Sequence, residues 1–183
     1  CGCGRGTARR KDRSAPSLIV AGNESSVDRR QLGNAQRQPL QAMAAEVDVN
    51  ESNGEITVTR VITSIDAGPA ISPDGIINQM EGQVIQGISR TLTEEVLFDR
   101  ASSSITTKDW RSYRTLQFGG AIPEIVSIVI DSRNSPVAGT GEITISLVAS
   151  AIGNAVYDGT GVRLRQVPFT PEAFLAAKKQ QNP

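Results

Sequence analysis

The side chains that could do chemistry are best approached through one that is missing. The sequence has no histidine, so a Ser-His-Asp triad, a histidine-ligated metal and a histidine general base are excluded within this chain. Acid–base work near neutral pH falls to a carboxylate, a lysine, a tyrosine or a partner. The most informative cluster is Gly139-Thr140-Gly141-Glu142, a glycine turn that runs into an apolar helical pattern. Backbone N–H groups at a helix start are unsatisfied and partly positive, so an anion or the polar edge of a cofactor can dock there. The same field favours an ionised Glu142, whereas burial would favour its neutral form. A carboxylate held between those effects can serve as a general base. The alternative is an ordinary glycine turn with an acid favoured by the helix dipole.

Other motifs are excluded by their spacing. Thr144 stands where a dinucleotide fingerprint needs its third glycine, and no Gly-Lys-Ser/Thr follows to make a P-loop. Cys1-Gly2-Cys3 lacks Cys-x-x-Cys spacing and a second pair, so no metal-ligating set is assigned. Gln79 carries an amide that both donates and accepts, and it can read a polar cofactor edge or an oxo ligand, or simply face solvent.

These residues need elements to position them. Ser72-Pro73-Asp74 reads as a helix start, with a capping residue, proline at the first position and an acid in the first turn. Ile76, Met80, Val84, Ile88 and Leu92 follow four apart and define one face. Gly82 and Gly87 inside that helix imply a close approach by a backbone or ligand, or tight packing of another helix. Beyond Glu142, Leu147, Val148, Ala151, Ile152, Ala155 and Val156 form a wide apolar stripe that Gly159 and Gly161 end. Strand patterns run through Ala45, Val47 and Val49, then Ile56, Val58 and Val61 to Ile65, with Asn53-Gly54 as a hairpin signal between them. Residues 124–131 read as a strand buried on both faces. A short strand is expected around Arg163 and Arg165, and a last surface helix over 171–180. Helices and strands mix without regular alternation, so the expected fold class is α+β, with mixed sheets and packed helices.

The chain of 183 residues is long enough for one domain plus a tail. Residues 1–43 are expected to be a poorly ordered, basic N-terminal segment, with the domain proper over 44–183. The first forty residues hold eight basic and three acidic side chains, and their one apolar run is Leu18-Ile19-Val20-Ala21. The whole chain balances 19 basic against 19 acidic residues, which argues against a nucleic-acid binder. No apolar run approaches the ~18 residues of a transmembrane segment.

Four ordered stretches carry more than their spacing. They are Asp66-Ala67-Gly68 through Ser72-Pro73-Asp74, Asn78-Gln79-Met80-Glu81-Gly82 through Gln86-Gly87, Gly139-Thr140-Gly141-Glu142, and Ala151 to Tyr157 through Thr160 to Arg165. Together they resemble the C-terminal part of the molybdopterin-binding large subunit of the xanthine oxidase, or molybdenum hydroxylase, family, over about residues 44 to 175. Thr106 to Trp110, Tyr113 and Val167 to Pro171 resemble the branch containing isoquinoline and nicotinate oxidoreductases and aldehyde oxidases.

The resemblance implies an α+β molybdopterin-binding domain and a molybdenum-dependent oxidoreductase. It makes Glu142 the general base beside molybdenum, brings Gln79 to the cofactor's oxo ligand, and lines the pterin with Gly139, Thr140 and Gly141. It also implies that water supplies the oxygen atom and that the cofactor is the cytosine dinucleotide form of molybdopterin. Iron–sulfur clusters on a small partner subunit would take the electrons. The substrate would be an N-heteroaromatic or an aldehyde, and the remainder of the large subunit would complete the site. Separately from the resemblance, the expected location is the cytoplasm, with the periplasm as the alternative. Many relatives carry proline after the glutamate where this chain has Ile143, and residues 5–43 depart from the family pattern. Because the family's other cofactor-binding segments lie upstream, the chain is expected to be a C-terminal fragment, inactive alone. The competing reading is a non-catalytic interaction or ligand-binding domain of the same descent.

Overall fold

A computed structural model describes residues 19–23, 39–117, 119–120 and 122–181. A four-stranded sheet is its base, with strands β1 (Ile19–Asn23), β2 (Leu40–Asn50), β3 (Glu55–Asp66) and β6 (Glu124–Ile130) in that spatial order. The first two pairings are antiparallel, and β3 and β6 run parallel. The crossover from β3 to β6 passes through helix α1 (Pro73–Leu92) and a small ribbon of β4 (Phe98–Asp99) with β5 (Ser104–Ile105). Helices α2 (Ile145–Thr160) and α3 (Pro171–Gln181) complete the chain. The α+β class follows directly from this arrangement.

The hairpin forms where Asn53-Gly54 predicts it, as a loop of residues 51–54 between the paired Asn50 and Glu55. Asn50 Oδ1 accepts from the Ser52 backbone at 3.0 Å and its carbonyl accepts from Gly54 N at 2.7 Å. The interrupted alternation of β3 has a simple cause. A bulge leaves Thr59 unpaired, since Val47 faces Val58 and Glu46 faces Arg60. The extra residue lets Val58 and Val61 both turn to the core despite their odd spacing.

The core lies between that sheet face and the two long helices. Met43, Val61, Val84, Ile88, Val148, Ile152 and Val156 are all buried in it. Gly87 is where α1 and α2 touch. A Cβ built there would lie 2.6 Å from Cγ2 of Val148. Of the two glycines inside α1, this one answers to helix packing, while among the described residues nothing lies within 4 Å of a Cβ at Gly82. Helix α2 ends on Gly161 at φ +75°, as its glycines predict. Helix α3 is pinned by Phe174, which is fully buried.

Two local expectations are corrected. Strand β6 is not buried on both faces, because it is a sheet edge whose Ile128 and Ile130 stand open opposite the helices. No strand forms at Arg163. The Gln181 side chain instead pairs that residue's backbone, accepting from its N–H at 2.9 Å and donating to its carbonyl at 3.0 Å. Beyond α1, the Tyr113 hydroxyl donates to the Glu94 carboxylate at 2.6 Å. Within the segment 1–43, β1 and the first residues of β2 are strands. The rest of that segment, Cys1 to Cys3 included, lies outside the described residues, apart from Pro39. Among the described residues no helix is long and apolar enough to cross a membrane.

Candidate functional site

The candidate site is built where the chain leaves β6 and returns to α1. Segment 131–138 first crosses the turn after β3. Ala138 N donates to the Ala67 carbonyl at 2.8 Å, and Ser132 N donates to that of Gly68 at 3.2 Å. Gly68 permits the crossing, because it has φ +88° and a Cβ there would meet the Pro136 carbonyl oxygen at 2.5 Å. Asp66 and Asp131 lock the corner. Asp66 Oδ2 accepts from the Ser132 hydroxyl and Asp131 Oδ1 from Ala70 N. That backbone bond, with the Arg133 guanidinium beside it, holds the Asp131 carboxyl below its ordinary range.

The glycine turn 139–142 then lies along α1. Gln79 Nε2 donates to the Gly141 carbonyl at 3.3 Å, and Gln83 Nε2 donates to that of Thr140 at 3.2 Å. One helical turn separates the two glutamines, so both amides face the same stretch of loop. Helix α2 starts only at Ile145, three residues beyond Glu142, and no acid occupies its first turn. Glu142 is therefore a loop residue at the mouth of the site rather than a first-turn acid. Its side chain is exposed and has no hydrogen-bond partner among the described residues.

Gln79, Gly82, Gln83 and Gln86 from α1 face Gly141, Glu142 and Ile145 across a cleft of about 820 Å³. Ser89, Arg90, Glu94 and Leu116 close its far end. There Leu116 N donates to the Ser89 hydroxyl at 2.9 Å, and the carboxylate of Glu94 holds the Tyr113 phenol above its ordinary pKa. Of the residues singled out in the sequence, Gln79, Gly141 and Glu142 meet in this cleft. Thr140 is half-buried behind it and Gly139 is open to solvent outside its lining.

Two residues of the site escaped the sequence reading. Gln83 is 7% exposed and Gln41 is 6% exposed. Gln41 Nε2 donates to the Thr144 hydroxyl, and its Oε1 has no partner among the described residues. A signal for Gln83 existed, because it lies three residues after Met80 and four before Gly87 on the buried face of α1. Gln41 occupies a core-facing position of β2, two residues before Met43.

The family model that matches residues 14–121 describes a molybdopterin cofactor-binding domain. The match ends before the Gly139–Glu142 turn. The chain is 39% identical over 136 residues to a nicotinate dehydrogenase component of Pseudomonas putida, covering 74% of this chain and 11% of that protein. It is 32% identical over 142 residues to the beta chain of isoquinoline 1-oxidoreductase of Brevundimonas diminuta, covering 78% and 17%. The crystal structure of quinoline 2-oxidoreductase from Pseudomonas putida superposes with a TM-score of 0.70 at 26% identity, over 78% of this chain and 19% of that one. The chain thus spans less than a fifth of the length of these three relatives.

Proposed function

The chain belongs to the molybdopterin cofactor-binding domain family, and on that premise we propose that it is the C-terminal part of a molybdenum hydroxylase large subunit carrying the proton acceptor of the reaction. One observation carries this reading: Glu142, Gly141 and Gln79 come together on a single cleft although 62 residues separate the paired Gln79 and Gly141.

The residues present fit such a cofactor. The cleft wall offers amides that both donate and accept, and Gly82 leaves open space where a Cβ would stand. Among the described residues no three His, Cys, Asp or Glu side chains gather to hold a metal. Gln79 would hold the polar edge nearest the metal, and the backbone of Gly141, with Thr140 behind it, would line the pterin, while Gly139 stands outside the cleft. When bound, the molybdenum cofactor supplies the two-electron oxidant, with water as the source of oxygen.

The chain's own part is acid–base and positional. A carboxylate oxygen of Glu142 takes the proton that the water-derived nucleophile loses as it attacks an electron-poor carbon. The Glu142 side chain is exposed at the cleft and no hydrogen bond occupies it among the described residues. The substrate is an N-heteroaromatic or an aldehyde, a reading supported by what the relatives' names say they act on. The cytosine dinucleotide form of the cofactor, a small iron–sulfur subunit as electron acceptor, and the remainder of the large subunit complete the proposed enzyme. Isolation of the native polypeptide that contains the Gly139–Leu147 peptide tests this. A polypeptide several times larger than 19.4 kDa, with stoichiometric molybdenum and a releasable pterin dinucleotide, is expected. A native polypeptide without pterin would overturn the reading.

A further inference from the structure

Among the described residues the Glu142 side chain has no partner, so whatever fixes its backbone fixes the group. Gln83 does so at both ends of the segment. Its Nε2 donates to the Thr140 carbonyl at 3.2 Å and to that of Gln79 at 2.9 Å. Its Oε1 accepts from Ile145 N, the first N–H of α2, at 3.3 Å. Helix α2 lacks a cap of its own, because Thr144 makes no side-chain cap bond and its hydroxyl is engaged with Gln41. The acceptor missing at the helix start is thus supplied from another helix.

From this geometry we infer that Gln83 is a positioning residue: a buried amide that ties Thr140 and Ile145 to α1 and so aims Glu142, midway between them, into the cleft. Only a group with donor and acceptor at one planar end can satisfy both carbonyls and the N–H, and asparagine is one methylene too short. The same amide links the two candidate site residues, since it also donates to the carbonyl of Gln79. The functional half of the inference rests on the reading of Glu142 as proton acceptor, and the anchoring half rests on hydrogen bonds alone.

Two substitutions in the assembled holoenzyme separate the parts. Gln83→Met keeps the length and removes both donor and acceptor. Gln83→Glu keeps the acceptor for Ile145 N and loses the donors. In Gln83→Met, hydrogen exchange of the peptide spanning 139–147 is expected to rise about five- to thirtyfold, the effect of losing one or two net hydrogen bonds. Molybdenum content and KM should hold, kcat should fall about tenfold or more, and the acidic limb of its pH profile should move. Gln83→Glu should restore exchange protection at the start of α2 and only part of kcat. Should Gln83→Met not fold, Gln83→Glu carries the test alone through loosening confined to residues 139–142. Unchanged exchange in both variants would overturn the anchoring. Faster exchange with unchanged kcat and pH profile, in an enzyme that Glu142→Gln inactivates, would overturn the positioning role. Full turnover in Glu142→Gln would instead sink the reading of Glu142, and the exchange result would still decide the anchoring.

Discussion

Helix α1 contains two glycines whose replacement by alanine should have opposite signs. A methyl at Gly87 would lie 2.6 Å from Cγ2 and 2.8 Å from Cβ of Val148. Ordinary carbon–carbon contacts are about 3.5–4.0 Å, so the gap must open by on the order of 1 Å. Rotating Val148 moves its Cγ atoms and leaves its Cβ in place. Relief must therefore come from separating two buried helices. Overpacking costs about 1–3 kcal/mol, and a shift of backbone belongs in the upper half of that range. The better helix propensity of alanine returns about 1 kcal/mol. Gly87→Ala should then be destabilised by about 1–2 kcal/mol. At Gly82 nothing among the described residues lies within 4 Å, so Gly82→Ala should gain roughly 1 kcal/mol from propensity alone. The assay is equilibrium urea denaturation of both variants and the parent, with m-values compared to keep the reference state common. Gly87→Ala combined with Val148→Ala should lose less than the sum of the single effects. A Gly87→Ala protein as stable as Gly82→Ala would refute the account of how α1 and α2 meet.

Three further outcomes follow from particular contacts. Gln41→Met should cost about 1–3 kcal/mol by leaving the buried Thr144 hydroxyl unpaired, whereas Gln41→Met with Thr144→Val should be nearly neutral in the same urea assay. Phe174→Ala should cost about 3–5 kcal/mol, read as a lowered urea midpoint, because the ring is fully buried. Tyr113 donates to the Glu94 carboxylate, which raises its pKa. The stabilisation it gives is therefore present below the ordinary tyrosine range and lost as pH rises through the folded value. Ultraviolet titration should show one late-ionising tyrosine that moves earlier in Glu94→Gln.

Much of this arrangement is legible in the residues themselves. The start of α1 at Pro73, its apolar face, the stripe of α2, the Gly161 stop and the hairpin at Gly54 follow from local chemistry, which acts over a few residues. What escapes the sequence depends on partners far along the chain. The edge position of β6 is set by pairing with β3, and an apolar strand reads the same at an edge or a centre. The bulge at Thr59 shows only as a slip in alternation until a partner strand defines it. Gln41 and Gln83 escape the sequence because a lone amide in an apolar stripe gives no sign of its distant acceptor. Glu142 lies at the turn its glycines mark, but the helix begins three residues later, since Gln83 rather than a local side chain supplies the acceptor at its start.

The most direct test of the central claim is the turnover of Glu142→Gln in the assembled enzyme, with molybdenum and pterin content measured on the same sample. The account predicts full cofactor content and a rate lower by about 10²–10⁴, the size of a general-base contribution. A cofactor-replete variant that turns over at the parent rate would contradict it.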